Sequence, residues 1–395
     1  MSYYTSIIIT INSKKYLILI MKAVVMKHHL KEGLQTVERA AGKNPSLPIL
    51  QNISLSLKKN KIILAGTDLQ IGITCEFLAD TKEDGEVVLA SRFITPLLGI
   101  ITEDHVSLET KKGQVAVEAG NFHSVIQTVS AEEFPIIPSL KEEEPFVEVK
   151  NDVLCGGLAQ VVGMVGQSQA RPEVGGVLFV FEKEVLRLAA TDSFRLAEKK
   201  IVFEKPNLVE QTFILPQKTA REIIGILAER QGKTKIYYSS SQVIFDHASE
   251  DEIFPAHIQV VSRLIEGEYP DYQNVIPKDH KAKAVFPKEE FLNHVKAASV
   301  FSGKTNEVIL SVEPTKKGIS FTAQSAEAGE NHSFLEAEVS GEKTNVAFNW
   351  RFLLDGLAQI KGLQVELSLN GEDGPALLRA SDQGGYLYVI MPIKA

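Results

Sequence analysis

Cysteine is nearly absent from this chain: Cys75 and Cys155 are the only two among 395 residues. Two cysteines are too few for a disulfide framework or a thiolate metal site, so we expect a reducing cytoplasm as the compartment. No apolar run reaches the roughly 18 residues of a membrane helix, so we predict no membrane span. Positive charge is also in deficit: the net charge is −8, which argues against a protein that grips nucleic acid by bulk charge.

Signatures of catalysis are missing as well. Residues 163–168 contain the glycines of a phosphate loop without its Gly-Lys-Ser/Thr ending, and they follow a helical pattern rather than a strand. His28 and His29 are adjacent, so they point to different sides of a helix and cannot chelate one metal. Asp68 and Asp192 each follow a threonine after a strand, where aspartate commonly bonds its own backbone in a turn. We therefore predict no catalytic residue, no metal and no cofactor.

What the chain does contain is a long internal repeat. Residues 30–68 reappear at 154–192, shifted by 124 positions without a gap, and a looser third copy begins near Phe291. A period of this length marks whole domains in tandem, because solenoid repeats are only about 20–50 residues long. Three units of about 125 residues fit between Met21 and the end, and each is large enough to bury a core.

The predicted domain boundaries are 21–144, 145–277 and 278–395. Prolines that cannot continue a central strand, such as Pro135 and Pro270, mark the exits into the linkers. Residues 1–20 have two interpretations. They form an N-terminal extension with an extra edge strand, or they result from a mis-assigned start, in which case Met21 is the first residue.

Hydrophobic spacing predicts the same elements in each unit: helix, strands, helix, strands. Leu30, Leu34 and Val37 lie on one helical face. Residues 69–77 alternate between apolar and polar, which predicts a half-buried strand, and residues 122–129 predict another. These patterns favour an α+β fold with helices on one face of a mostly antiparallel sheet. Ser91 is expected to cap the second helix of the first unit, and Pro216 and Asn349 are expected to open the equivalent helices of the other two.

Basic residues recur on or beside the predicted helices. Each alone fits a solvated helix face, but equivalent helices that line one surface would form a basic track for phosphates, without reading sequence. The candidate DNA contacts are Lys27, Lys31, Lys43, Arg92, Arg171, Lys218, Arg221, Lys296 and Arg351.

Five short stretches, in this order and spacing, give the chain a family resemblance from Met21 onward. They are PSLPIL at 45–50, GTDL at 66–69, ATD at 190–192 followed by RL at 195–196, YPDY at 269–272 and YVIMP at 388–392. In these features the chain resembles the beta subunits of DNA polymerase III, the bacterial sliding clamps. The resemblance implies three clamp domains per chain and a six-domain ring formed by a head-to-tail homodimer. It also implies a non-catalytic function, in which the ring encircles duplex DNA and tethers the replicative polymerase.

The resemblance further implies a pocket that captures short peptides of the polymerase alpha subunit, the clamp loader and other proteins with a clamp-binding motif. Position by position, its residues would be Val174, Thr191, Arg195, Leu196, Pro270, Val275, Asn349, Phe352, Val389, Ile390, Met391 and Pro392. The subunit seam would involve Ile126 on one side and Val300 and Phe301 on the other.

The chain departs from the family pattern at three places. Ser193-Phe194 stands where glycine and a histidine or tyrosine are usual, and the terminus Lys394-Ala395 lacks a larger apolar last residue. Asn44 occupies the position of a common basic DNA contact, for which Lys43 is the substitute.

Two other functional classes stay open on the sequence. One is an enzyme built on repeated α+β domains that acts through Asp68 or Asp192. The other is a cytoplasmic binding scaffold that never touches DNA.

Overall fold

The computed structural model describes residues 8–11, 14–17, 21–42, 46–111, 113–140, 145–206, 210–249, 251–382 and 384–394. Within these ranges, none of the helices has both the length and the apolar character needed to span a membrane. A short antiparallel ribbon comes first, with strands β1 (Ile8–Ile11) and β2 (Lys14–Leu17) paired only to each other.

One order of elements then occurs three times: a strand, a helix, three strands, a strand that leads into a second helix, and three closing strands. The first and third repeats add a short four-residue strand just before the strand that leads into the second helix. The first repeat contains β3 (Lys22–Met26), α1 (Lys27–Glu38), β4 (Ile53–Lys58), β5 (Lys61–Thr67), β6 (Ile71–Leu78), β7 (Asp80–Glu83), β8 (Gly85–Leu89), α2 (Ser91–Ile100), β9 (His105–Lys111), β10 (Gln114–Ala119) and β11 (Phe122–Val129). The second contains β12 (Phe146–Lys150), α3 (Asn151–Val161), β13 (Gly176–Phe181), β14 (Val185–Thr191), β15 (Arg195–Val202), β16 (Gln211–Pro216), α4 (Gln217–Leu227), β17 (Lys233–Tyr238), β18 (Gln242–Ala248) and β19 (Ala256–Arg263). The third contains β20 (Ala282–Pro287), α5 (Lys288–Ser299), β21 (Glu307–Glu313), β22 (Gly318–Ser325), β23 (Gly329–Glu336), β24 (Glu338–Gly341), β25 (Thr344–Asn349), α6 (Trp350–Gln359), β26 (Gln364–Leu369), β27 (Ala376–Ala380) and β28 (Tyr386–Ile390).

The chain forms two compact units, Met1–Asp152 with Ile226–Arg263 and Val153–Gly225 with Leu264–Ala395. The first unit contains a 13-stranded antiparallel sheet in the order β12-β17-β18-β19-β6-β5-β4-β8-β11-β10-β9-β3-β7. The second unit contains a nine-stranded sheet, β16-β13-β14-β15-β28-β27-β26-β20-β24, and a four-stranded sheet, β23-β22-β21-β25. Neighbouring repeats therefore join strand to strand, through β19 and β6 in the first unit and through β15 and β28 in the second. The predicted α+β class with antiparallel sheets is confirmed.

The helices pack on the sheets through the predicted apolar faces. In α1, Leu30, Leu34 and Val37 are fully buried, and the helix packs against β5 and β6. Gly33 lies on the same face because a Cβ there would come within 2.6 Å of the Phe77 ring. The equivalent Gly157 of α3 is restricted in the same way by Ile201 and Leu188. The close approach of helix to sheet is thus a repeated property of the fold.

Two local predictions are wrong. Ser91 is the first residue of α2 and does not cap it: Ala90 occupies the cap position, and no side chain bonds the cap. Leu69 does not belong to the alternating strand, because it adopts φ +75° in the turn before β6 and is 45% exposed. Hydrogen bonds from local polar side chains favour such a turn over an extra strand residue.

That turn has the same construction in the first two repeats. Asp68 Oδ1 accepts the N–H groups of Gln70 and Ile71 at 2.9 Å. Asp192 Oδ1 accepts those of Phe194 and Arg195 at 3.0 Å. The prediction that both aspartates bond their own backbone is confirmed.

The cross-strand pair of Asp246 and His257 carries a testable pH dependence. The carboxylate and the His257 ring are 2.6 Å apart, and Gln259 also donates to the carboxylate. Burial disfavours the charged form of Asp246, but these hydrogen bonds outweigh it and lower its pKa. The hydrogen bond to Asp246 raises the pKa of His257.

The two shifts act in different pH windows. The Asp246 contribution is complete above the ordinary carboxyl pKa and is lost as pH falls through its lowered value. The His257 contribution is complete below the ordinary imidazole pKa and is lost as pH rises through its raised value. We therefore expect Asp246→Asn to lower the free energy of unfolding more at pH 5.5 than at pH 9. The difference should stay below about 1 kcal/mol, because His257 is 40% exposed and screened. Urea denaturation at both pH values measures it, and equal losses would contradict the assignment.

Candidate peptide-binding site

The second unit contains a groove of about 200 Å³ with an apolar floor and a charged rim. Leu196 and Val389 face each other across the β15–β28 pair, and with Tyr272 they belong to the buried core. The floor is therefore as rigid as the sheet that forms it. The lining residues are Arg171, Thr191, Ser193, Arg195, Leu196, Pro270, Asp271, Tyr272, Val275, Val389 and Met391.

The structure brings most of the predicted peptide contacts to this groove. Seven of the twelve line it: Thr191, Arg195, Leu196, Pro270, Val275, Val389 and Met391. Among the others, Val174 and Ile390 are buried and Asn349 caps α6, where its side chain accepts the N–H of Arg351 at 3.0 Å. Pro392 is also buried, and Phe352 contacts Arg195.

Arg195 contacts three other side chains in the wall of the groove. Its Nε donates to Asp192 at 2.9 Å, its Nη1 donates to Asp355 at 2.5 Å, and its guanidinium lies 4.5 Å from the centre of the Phe352 ring. Burial disfavours the charge on Arg195, but the hydrogen bonds to Asp355 and Asp192 outweigh this and raise its pKa above the ordinary value. The guanidinium is therefore a fixed part of the wall rather than a mobile surface cation.

The turn between β14 and β15 shapes one side of the groove. Thr191 Oγ1 donates to the carbonyl of Arg195 at 2.7 Å, and Asp192 bonds the backbone of the same turn. Ser193 adopts φ +78°, a left-handed conformation that glycine adopts at lower cost. The serine that replaces the usual glycine is thus accommodated by side-chain hydrogen bonds within the turn.

The rim is aromatic at this turn. Phe194 is 62% exposed, and its ring centre lies 6.5 Å from that of Phe352 in a stacked orientation. The carbonyl of Phe194 accepts the backbone N–H of Met391 at 2.8 Å, which holds the C-terminal segment beside the rim. Phe194, at a position where histidine or tyrosine is usual, therefore adds exposed apolar surface beside the groove.

Below the floor, Tyr272 donates its hydroxyl proton to the buried carboxylate of Glu198 at 2.6 Å. Burial raises the pKa of Tyr272, and the Glu198 bond raises it further. The tyrosine therefore stays neutral and serves as a donor that satisfies a buried charge. Asp271 and Tyr272 were not predicted as site residues, although the YPDY motif that contains them was recognised.

Of the nine predicted DNA contacts, one lines the groove, seven lie on helices and one lies outside the described residues. Arg171 lines the groove, where it donates to Glu173 and to Ser193 Oγ, both at 3.1 Å. Lys43 lies outside the described residues. The other seven lie on helices: Lys27 and Lys31 on α1, Arg92 on α2, Lys218 and Arg221 on α4, Lys296 on α5 and Arg351 on α6.

Several of these cations have partners within the chain. Lys27 Nζ donates to the carbonyl of Ile101 at 2.9 Å, just past the end of α2. Arg92 lies 4.9 Å from the centre of the Phe93 ring, and Arg351 lies 5.1 Å from that of Trp350. These contacts orient the side chains without neutralising their charge.

The three predicted seam residues differ in exposure. Ile126 lies on β11 and is buried, whereas Val300 directly follows α5 and is 69% exposed. Phe301 is half-buried. In the part of the chain that the structure describes, no group of three or more His, Cys, Asp or Glu side chains could hold a metal ion.

A groove with an apolar floor, a fixed arginine wall and an aromatic rim defines a site for a short peptide segment with apolar anchors. The family models of the DNA polymerase III beta subunit match the chain in three successive stretches. The N-terminal domain matches residues 21–138, the central domain residues 148–271 and the C-terminal domain residues 273–394.

A curated relative and two solved structures match the chain over nearly its whole length. The beta sliding clamp of Bacillus subtilis is 27% identical over 386 residues, which cover 95% of this chain and 100% of that protein. The crystal structure of the DNA polymerase sliding clamp from Bacillus subtilis matches with a TM-score of 0.89 at 27% identity, over 95% of this chain and 99% of that one. The DNA polymerase III beta subunit from Thermotoga maritima matches with a TM-score of 0.86 at 25% identity, over 95% of this chain and 100% of that one.

The chain belongs to the family of DNA polymerase III beta subunits, the bacterial sliding clamps. Its function is that of a DNA sliding clamp, a non-catalytic processivity subunit of the polymerase. The family, the three clamp domains and the function predicted from the sequence are confirmed.

Proposed function

We propose that two copies of the chain join head to tail into a closed ring around duplex DNA and capture partner proteins in the groove. The pattern of sheet joints is the observation that carries this proposal. The last strand of the second repeat, β19, pairs with β6 of the first, and the last strand of the third, β28, pairs with β15 of the second. The two elements left in the equivalent positions are β11 and β23.

Both of these strands have an open edge within the described residues. β23 is the end strand of its sheet, and β11 pairs with β10 along its length but with β8 only at Thr128 and Val129. Unpaired edges invite association, and a second copy offers the complementary edge to each of them. Two such joints related by a two-fold axis close the assembly, because each subunit supplies one β11 and one β23.

The seam residues fit these edges. Phe301 lies 13 residues after the first residue of α5. Ala40 and Met164 lie at the equivalent positions, 13 residues after the first residues of α1 and α3. Ala40 and Met164 are buried, whereas Phe301 is only half-buried. We propose that the joint covers Phe301 together with Val300, and that Ile126, which lies on β11, belongs to the other side of the seam.

The basic residues on the helices are the proposed contacts with DNA. We propose that the seven helix residues named above, together with Lys43, meet phosphates loosely and without sequence preference. A negative total charge of −8 suits a ring that slides, because tight binding over the whole surface would impede movement. The proposed domains are residues 21–144, 145–277 and 278–395, and the proposed compartment is the cytoplasm.

The groove is the proposed docking site for the polymerase alpha subunit, the clamp loader and other proteins with a clamp-binding motif. Its apolar floor would bury hydrophobic anchors, and its polar rim would hold the peptide backbone. Met391 is flexible and polarizable, which suits a site that accepts different partners. Because Arg171 lies on the rim, a role in peptide binding is better supported for it than a DNA contact.

A processivity assay tests this function. A primed circular single-stranded template is copied by the cognate polymerase with its loader and ATP, in the presence or absence of the protein, under single-binding conditions. We expect the products to lengthen by at least about tenfold only when both the protein and the loader are present. Products of unchanged length would contradict the proposal.

A further inference from the structure

We infer that Ser124 of one subunit lies opposite the partner subunit's Asn331 and donates a hydrogen bond to it, which fixes the register of the joint. This inference rests on the proposed head-to-tail ring and adds the residue pairing. Its basis is the equivalence of positions among the three repeats, followed from strand to strand through the observed pairing.

The β11 side is traced from the strand that precedes each first helix. Ala23, Val147 and Ala284 each stand four residues before the helix begins. The observed partners lead from them through three strands to Ser124, Val260 and Tyr388. Ser124 is therefore the structural equivalent of Val260 and Tyr388.

The β23 side is traced from the strand that precedes each second helix. Leu89, Leu215 and Phe348 each stand two residues before the helix begins. The pairing leads from them through two intermediate strands, where the register between those two strands is continued by one residue beyond its last observed pair. The residues reached are Ile73, Ala197 and Asn331. Asn331 is therefore the structural equivalent of Ile73 and Ala197.

The two joints within the chain use these same positions. Val260 pairs with Ile73 in one, and Tyr388 pairs with Ala197 in the other. All four side chains are at most 1% exposed. The third joint, built by the same rule, places Ser124 opposite the partner subunit's Asn331.

Asn331 provides an independent observation. Its Oδ1 atom is buried, yet it accepts no hydrogen bond from any described residue. Because the single chain provides no donor for this atom, the Asn331 amide can turn toward the open edge of β23 without losing a hydrogen bond at Oδ1, and a donor of the partner subunit can then reach it. A hydroxyl at Ser124 supplies one, because directly opposed residues on one face of an antiparallel pair have Cβ atoms about 4.5–5.5 Å apart.

The opposite face of the joint offers a direct test. The same register places His123 opposite the partner subunit's His332, and both side chains are exposed in the single chain. The native Cys75 and Cys155 are buried, so they leave introduced cysteines as the accessible thiols. We would combine His123→Cys with one of three substitutions, Glu330→Cys, His332→Cys or Phe334→Cys, and measure the rate of disulfide-linked dimer formation under mild oxidation.

We expect the pair at positions 123 and 332 to cross-link at least about five times faster than the other two, which lie on diagonals about 7–8 Å apart. Fastest cross-linking at 330 or 334, in a protein that sedimentation shows to be dimeric, would overturn the register and leave the ring in place. A monomer in sedimentation would overturn the ring and the register together.

A double-mutant cycle tests the hydrogen bond itself. Ser124→Ala should weaken the dimer about five- to a hundredfold, because each of the two joints loses one bond to a buried acceptor. Ser107→Ala, at a half-buried serine of β9, is the matched control and should leave the dimer constant unchanged. When Asn331→Ala is already present, adding Ser124→Ala should raise the dimer dissociation constant by less than about twofold. An undiminished loss there would show that the two side chains do not interact.

Discussion

Phe301→Asp converts the protein into monomers at concentrations where the unchanged protein is a dimer, and it abolishes processive synthesis. The effect is large because the proposed joint buries this side chain, and a buried charge without a partner costs several kcal/mol, roughly. The dimer dissociation constant should therefore rise by more than about a hundredfold. Sedimentation equilibrium over a dilution series measures the change.

The fold of the subunit should survive this substitution, because Phe301 is only half-buried in the single chain. Leu363→Asp is the control, since Leu363 is 82% exposed on the loop before β26 and lies away from both β11 and β23 in the chain. It should leave the dimer unchanged. A dimer constant for Phe301→Asp within a factor of two of the unchanged value would remove this residue from the joint.

Val275→Asp is expected to abolish capture of partner peptides while the ring stays intact. Val275 lines the groove and is 44% exposed, so an aspartate there is tolerated by the fold but faces the bound peptide. Apolar anchors would then be buried against a charge that loses water on binding. We expect affinity for a labelled peptide with the clamp-binding segment of the cognate polymerase to fall by at least about a hundredfold.

Fluorescence anisotropy measures this affinity, and sedimentation checks that the dimer persists. Val202→Asp is the matched control, because Val202 is exposed at the far end of β15 and does not line the groove. Substitution is preferable to removal of the C-terminus, since Val389 and Ile390 are buried in β28 and their loss would damage the sheet. Unchanged peptide affinity in Val275→Asp would place the docking site elsewhere.

Much of the fold was predictable because its signals are local. The strand at 122–129 has the bounds of β11, and the apolar spacing of Leu30, Leu34 and Val37 defines the buried face of α1. The strands before the first helices were missed, since five residues such as Lys22–Met26 give too short an alternation to stand out. Leu69 was misplaced because its left-handed turn depends on hydrogen bonds of its neighbours, whereas its apolar character continues the strand pattern.

The site was predictable in its residues but not in its construction. Most groove residues belong to the short motifs that carry the family resemblance, such as YPDY and YVIMP. The pairing of Arg195 with Asp355 joins positions 160 residues apart, and no local pattern encodes it. The joints between repeats depend on sheet register in the same way, so they emerge only once β19 is seen beside β6 and β28 beside β15.

Release from linearised DNA tests encirclement most directly. The labelled protein is loaded onto nicked circular DNA by the loader and ATP, freed from unbound protein by gel filtration, and the circle is then cut once with a restriction enzyme. The ring predicts that the protein stays with the intact circle and leaves the cut DNA through its free ends. Equal retention on circular and linear DNA would contradict encirclement, because it would show that direct contacts rather than topology hold the protein.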